Sequence, residues 1–187
     1  MTTIRKEMAK DVAAREALID RAFGDARFVK AAEQLREGRM PAHGLSLVAT
    51  EKTRVVGTVR LWHVSAGPAR PALLLGPLAV DDARRGRGIG AALMRRAIEA
   101  AQALGHKAVL LVGDAAYYGR FGFSAEKTGA LWMPGPYERE RLLARELMPG
   151  ALDGARGLIS ATGEKALIPD LASLIAGLAR TDAAHAA

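Results

Sequence analysis

The sequence predicts an α/β domain, more closely an α+β fold with one mixed sheet flanked by helices. Three observations carry this. The nearly unbroken apolar run 72–80 and the apolar run 106–112 enclose a helical pattern, the strand–helix–strand order of a crossover that makes the two strands parallel. Two earlier stretches, 44–50 and 53–64, are joined by a short polar connection and so pair antiparallel. The chain has 187 residues, half hydrophobic and a quarter charged, which suits one globular domain. We place that domain at 1–150 and a C-terminal extension at 151–187.

Taken in order, 11–23 reads as a helix: Val12, Ala13, Leu18, Ile19, Ala22 and Phe23 form an apolar stripe, and Asp11 stands where a cap is needed. A second short helix is expected over 28–36, ending near Gly38. Strict alternation along 53–64 puts Val55, Gly57, Val59, Leu61 and His63 on one face. Val56, Thr58, Arg60, Trp62 and Val64 then lie on the other. A turn rich in Gly and Pro follows at 67–71. The run 72–80 is apolar on both faces, as in a strand covered on both sides. Its Gly76-Pro77 pair interrupts the ladder, because proline has no N–H to donate, and predicts a bulge or a splay. The helix after it runs to about Leu104 with Ile89, Leu93, Ala97, Ala100 and Ala101 inward, and Gly105 ends it. After strand 106–112 come a helical turn at 115–120, a Pro-rich loop at 133–136 and a last strand at 141–148. Beyond Pro149 the composition shifts to Gly, Ala and Ser. Pro169 suits the first turn of a terminal helix bearing Leu171, Leu174, Ile175 and Leu178, and 181–187 should fray. No internal repeat is present.

Composition removes several classes of function. The chain has no cysteine, so thiol catalysis, cysteine–zinc sites and a disulfide scaffold are excluded, which accords with a reducing compartment. No metal is expected. The most apolar stretch, 71–80, is half of the roughly 20 residues a membrane-spanning helix needs. No apolar run follows the N-terminal charges as it would in an export signal. A cytoplasmic protein without membrane contact is expected. The net charge of +7 suits an anionic partner or simply an Arg-rich surface. Nucleic acid is disfavoured: aromatics, needed to stack on bases, are 5% of residues, and the arginines are densest in one loop.

That loop concentrates the chemistry. Three glycines at alternate positions, Gly86, Gly88 and Gly90, follow a buried strand and open a helix. Glycine lets backbone approach a ligand closely, and a helix start offers unpaired N–H groups and a partial positive charge. Phosphate is the matching ligand. Arg84, Arg85 and Arg87 add charge to the same loop. The dinucleotide fingerprint fits the glycines formally but not the context. An Arg-rich linker replaces the tight turn, and Asp114 lies 28 positions past Gly86 rather than about 20. No Gly-Lys-Ser/Thr follows the loop, so it is not a Walker phosphate loop.

Leu78-Ala79-Val80 followed by Arg85-Gly86-Arg87-Gly88-Ile89-Gly90-Ala91 resembles the acetyl-CoA-binding segment of the GNAT superfamily of N-acetyltransferases, whose pattern is Arg/Gln-x-x-Gly-x-Gly/Ala after an apolar strand. Tyr117-Tyr118-Gly119-Arg120-Phe121-Gly122-Phe123 is similar to that family's aromatic-Tyr-x-x-x-Gly-Phe segment, one helix and one strand later. The resemblance covers about 45–150. It implies direct transfer of an acetyl group from acetyl-CoA to a primary amine in a ternary complex. It further implies that the amides of Arg85, Gly86, Arg87, Gly88, Ile89, Gly90 and Ala91 hold the pyrophosphate. Leu78, Ala79 and Val80 would pair with the pantetheine arm, and an N–H near Leu78 would meet the oxyanion. Tyr118 is the candidate general acid toward the leaving thiolate, or else packs beside the sulfur. Tyr117, Phe121 and Phe123 are expected in the core.

Strand 72–80 contains no Asp or Glu, so the general base is His63 or water, and His63 also suits a structural role beside Val59 and Leu61. Where many family members carry an Asn, this chain has Gly113-Asp114-Ala115, leaving Asp114 to cap the next turn. Loop 132–137 either lines the acceptor site or simply ends a hairpin. The acceptor is an amine on a small molecule or protein. A homodimer would use the terminal helix or strand 141–148. The rival readings are a non-catalytic CoA-binding sensor and, less well supported, a dinucleotide-dependent enzyme.

Overall fold

The computed structural model describes residues 1–24 and 31–166. The expected terminal helix and the start of the expected 28–36 helix lie outside the described residues. The strands are β1 (Thr2–Lys6), β2 (Ser46–Glu51), β3 (Arg54–Ala66), β4 (Pro71–Val80), β5 (Ala108–Val112), β6 (Leu131–Trp132), β7 (Leu142–Glu146) and β8 (Gly157–Ala161). The helices are α1 (Val12–Phe23), α2 (Ala31–Gln34), α3 (Ile89–Ala103) and α4 (Ala115–Tyr118). The sheet order is β1-β2-β3-β4-β5-β7, with β8 beside the far end of β3 and β6 beside β8. β4 and β5 are parallel, and β2, β3 and β4 pair antiparallel in sequence, as the periodicity predicts.

α3 covers one face of the sheet. Leu93, Met94, Ala97 and Ala101 on its inner stripe pack with Val59, Leu73, Val109, Phe121 and Phe123. The helix stops through a left-handed Gly105 (φ 81°). The Gly105 N–H donates to the Gln102 carbonyl, and the His106 N–H donates to that of Ala101, closing the last turn. α1 lies on the opposite face, where Leu18 and Ile19 meet Val48, Val55 and Ala79. Beside it, Trp62, Leu74, Leu110, Leu131, Leu142 and Ile159 form a third cluster.

Four expectations change. Asp11 precedes α1, but its side chain does not cap it. The carboxylate faces back toward β1, taking two bonds from the Arg5 guanidinium (2.6 and 2.9 Å) and one from the Met8 N–H (2.8 Å). The strict alternation of β3 fails near its start. The β2–β3 register shifts between Ala49 and Thr50, so Val55 turns to α1 and Val56 to the α3 side. β1 lies where the sequence marks no strand: Ile4 is its one strongly apolar residue, and its ladder to β2 holds it. The Gly/Ala/Ser-rich segment assigned to the extension contributes β8, whose Ile159 is fully buried against β3.

Gly76 and Pro77 position the site. Leu61 opposes Leu75 but Val59 opposes Leu78, so β4 carries an extra residue at that point, the bulge that the Gly-Pro pair predicts. The Gly76–Pro77 peptide is cis. The Trp62 indole N–H donates to the Gly76 carbonyl at 2.6 Å and fixes the kink from below. The β4–β5 ladder spans only Leu73–Val109 and Leu74–Leu110, and beyond it the two strands part. On β7, Leu142, Leu143 and Ala144 are buried in this chain's own core. Among the described residues no helix is long and apolar enough to cross a membrane.

Candidate active site

A cavity of about 620 Å³ opens where β4 and β5 part, a volume typical of small-molecule sites. Residues 75–78 of β4 and 111–114 at the end of β5 form its base, and Tyr117 and Tyr118 of α4 form one side. Ile19 and Phe23 of α1, Ala31, Glu33 and Arg36 around α2, and residues 136–138 with Arg141 close the other sides.

Tyr118 reaches the cavity because α4 starts sharply. Asp114 caps it, accepting from the Tyr117 N–H at 3.1 Å, the role the sequence allows it. Gly113 makes room for the ring: a Cβ there would stand 2.2 Å from Tyr118 Cε2. Burial pushes the phenol up to about 12, with neighbouring Tyr117 adding to the shift and the Arg141 guanidinium opposing it. The group is therefore a protonated donor throughout the physiological range.

Above the cavity, the chain leaves β4 and makes a single 3₁₀ turn over 82–84, capped by Asp81, whose carboxylate accepts from the Ala83 N–H at 3.0 Å. Gly86 and Gly88 follow with φ of 78° and 76°, and a Cβ at either would touch nothing within 4 Å. The glycines are therefore required by backbone conformation rather than by crowding, and the space above them is open. The Gly88 carbonyl accepts from the Ala92 N–H at 2.9 Å, so the amides of Ile89, Gly90 and Ala91 have no helical acceptor. That first turn of a helix of 15 residues therefore presents unpaired amides at the positive end of the helix dipole, the arrangement that suits an anion. Arg85, Arg87, Gly86 and Gly88 are exposed around it, while the Ile89 side chain is buried in the core. Leu78 lines the cavity, Ala79 turns to α1 and Val80 packs toward α3.

Two expectations about side chains are corrected. Tyr117 is not a core residue. It is 36% exposed, with its ring under the Arg120 guanidinium (4.1 Å) and its hydroxyl 3.3 Å from where a Gly90 Cβ would stand. Phe121 and Phe123 are buried as expected. His63 is not at the site. Its ring lies 5.3 Å from that of His106, which precedes β5, whereas the cavity lies past the other end of that strand. Burial, then the charge of His63, lowers His106. Loop 132–137 divides: Tyr137 lines the cavity and donates to the Leu131 carbonyl at 3.3 Å, while Trp132 lies exposed under Arg139.

The sequence reading missed the charged cavity wall. Glu33 accepts from Arg36 at 2.8 Å, and Glu138 accepts from Arg141 at 3.2 Å. Neither pair lies in a motif, and no local signal marks either as facing Tyr118.

Comparison with known proteins identifies the family. Residues 42–125 match the family model of the acetyltransferase (GNAT) domain. The chain is 32% identical over 158 residues to the uncharacterised N-acetyltransferase YhbS of Escherichia coli K12, covering 83% of this chain and 93% of that one. The crystal structure of E. coli YhbS in complex with CoA superposes with a TM-score of 0.72 at 31% identity, over 86% of this chain and 89% of that one. A GNAT family acetyltransferase of Brucella melitensis in complex with acetyl-CoA gives a TM-score of 0.59 at 30% identity, over 82% and 99% of the two chains. Likeness of this extent, in sequence and in fold together, makes the protein a member of the GNAT family of acetyl-CoA-dependent N-acetyltransferases.

Proposed function

We propose that the protein transfers the acetyl group of acetyl-CoA directly to a primary amine while both are bound. The observation that carries this is the alignment of three features along one path: the open amides at the start of α3, the split between β4 and β5, and the Tyr118 phenol at its end. Acetyl-CoA, when bound, supplies an activated carbonyl on a good leaving group. Backbone amides of 85–91 hold its pyrophosphate, and the free edge of β4 at Leu78–Val80 holds the arm. A backbone N–H at Leu78 meets the developing oxyanion, and such electrostatic stabilisation is usually the largest catalytic term. The amine adds to the carbonyl carbon to form the C–N bond; as the oxyanion collapses back to a carbonyl the C–S bond breaks, and Tyr118 gives its proton to the departing sulfur. The amine's proton leaves to the cavity carboxylates Glu33 or Glu138, or to water beside them. His63 is too remote to take it.

Calorimetric titration with acetyl-CoA, CoA and NADPH, followed by an amine screen that reads thiol release, tests this. We expect binding of acetyl-CoA and CoA in preference to NADPH. Tyr118→Phe should keep that binding and lose about 10²-fold or more of the turnover. Absence of CoA binding, or tighter NADPH binding, overturns the reading. A Tyr118→Phe enzyme with normal turnover removes the tyrosine from it.

A further inference from the structure

The arginines of the glycine loop are largely compensated. Arg84 meets Glu51 at 3.3 Å, Arg85 meets Asp82 at 2.8 Å, and Arg87 meets Glu51 at 3.8 Å. A different arginine cluster is not. Arg95 on α3, Arg120 after α4 and Arg145 on β7 converge on a concavity of about 480 Å³ over Phe121. Among the described residues, none of the three has a carboxylate within 4.0 Å. The one carboxylate lining that concavity, Glu99, is turned to Arg96 at 3.7 Å.

These guanidiniums are held in place. Arg145 donates to the Phe121 carbonyl at 2.6 Å. Arg95 and Arg120 stand over the Phe121 ring at 5.8 and 5.0 Å, and Arg120 also covers the Tyr117 ring at 4.1 Å. Tyr117 ties the cluster to the phosphate loop, since its hydroxyl lies against Gly90 at the start of α3. Arg120 thus stands across one tyrosine ring from the start of that helix, on the side where a second anion one sugar away from a pyrophosphate there can be met. Arginine suits it because the planar guanidinium grips phosphate oxygens in pairs.

We infer that Arg120, supported by Arg95, is a specificity residue for the 3′-phosphate of the co-substrate, so that the enzyme distinguishes CoA from 3′-dephospho-CoA. This rests on the proposed use of acetyl-CoA. The test is calorimetric titration of CoA and 3′-dephospho-CoA against wild type, Arg120→Ala, Arg120→Lys and Arg95→Ala, with circular dichroism to verify folding. We expect wild type to bind CoA about tenfold more tightly than 3′-dephospho-CoA, the value of one charge-assisted contact. Arg120→Ala should bring that ratio to about one while leaving 3′-dephospho-CoA affinity unchanged, and Arg120→Lys and Arg95→Ala should fall between. A wild-type ratio near one, or a ratio that Arg120→Ala preserves, overturns the inference and leaves the acetyl-CoA reading standing. Failure of both molecules to bind overturns both.

Discussion

Gly113 and Tyr118 compete for the same space, and the glycine yields it. A methyl at 113 would lie 2.2 Å from Cε2 and 2.7 Å from Cδ2 of the ring, so Gly113→Ala must displace the tyrosine. Turnover should fall toward that of Tyr118→Phe while acetyl-CoA binding survives, because the 85–91 amides are untouched. Steady-state kinetics beside calorimetry separates the two, and an alanine variant with full turnover would refute the placement. At the opposite end of the chain, Asp11 makes a testable acid-stability claim. The Arg5 guanidinium first, then the Met8 N–H, holds its carboxyl down to about 2, below the ordinary 3.8. A depressed carboxylate contributes stability that is complete above the unfolded value and is lost as pH falls through the folded one. Wild type should therefore lose stability between about pH 4 and pH 2 by more than Asp11→Asn does. Urea melts across that window measure the difference, and parallel curves would refute it.

Packing of α3 against β3 depends on one missing side chain. A Cβ at Gly57 would stand 2.9 Å from Leu93 Cδ1 and 3.1 Å from Ile89 Cγ2, both on the inner stripe of α3. Gly57→Val should cost about 1–3 kcal/mol by overpacking, read as a lower urea midpoint at unchanged slope. It should also weaken acetyl-CoA binding, since Ile89 is the first residue of the helix that presents the phosphate amides. Elements like α3 are legible in sequence because a helical stripe and an ending glycine are local signals. The same holds for the crossover, for the Gly76-Pro77 bulge, and for the glycine loop and Tyr118, which a resemblance to known motifs marks. What escaped notice is set by partners distant in sequence. β1 and β8 have weak patterns of their own and are completed by β2 and β3. The Val55/Val56 inversion follows from a register shift against β2. Glu33 and Glu138 come to the cavity on unrelated segments, and His63 leaves it because β5 runs the other way.

At the scale of the molecule, the question is where the folded unit ends. Composition changes at Pro149, and the sequence suggests a boundary there. Yet 157–161 pair with the last residues of β3, matching Ala66 with Ile159 and Val64 with Ala161. The segment is also fitted closely to the β3–β4 turn: any side chain at Gly67 would meet the Arg156 carbonyl at 1.9 Å. Leu152 and Ile159 are fully buried, and they cover Val64, Ala66 and Leu131. Two such side chains contribute about 3–6 kcal/mol, against a total stability of about 5–15 kcal/mol for a domain. We therefore predict that a chain ending at Pro149 melts at least about 10 °C below the full chain or loses its cooperative transition. A chain ending at Ala166, which keeps β8, should melt well above the chain ending at Pro149. Thermal melts of the three chains decide it. If the 149-residue chain melts cooperatively beside the full-length protein, β8 is an appendage and the compositional boundary is the structural one.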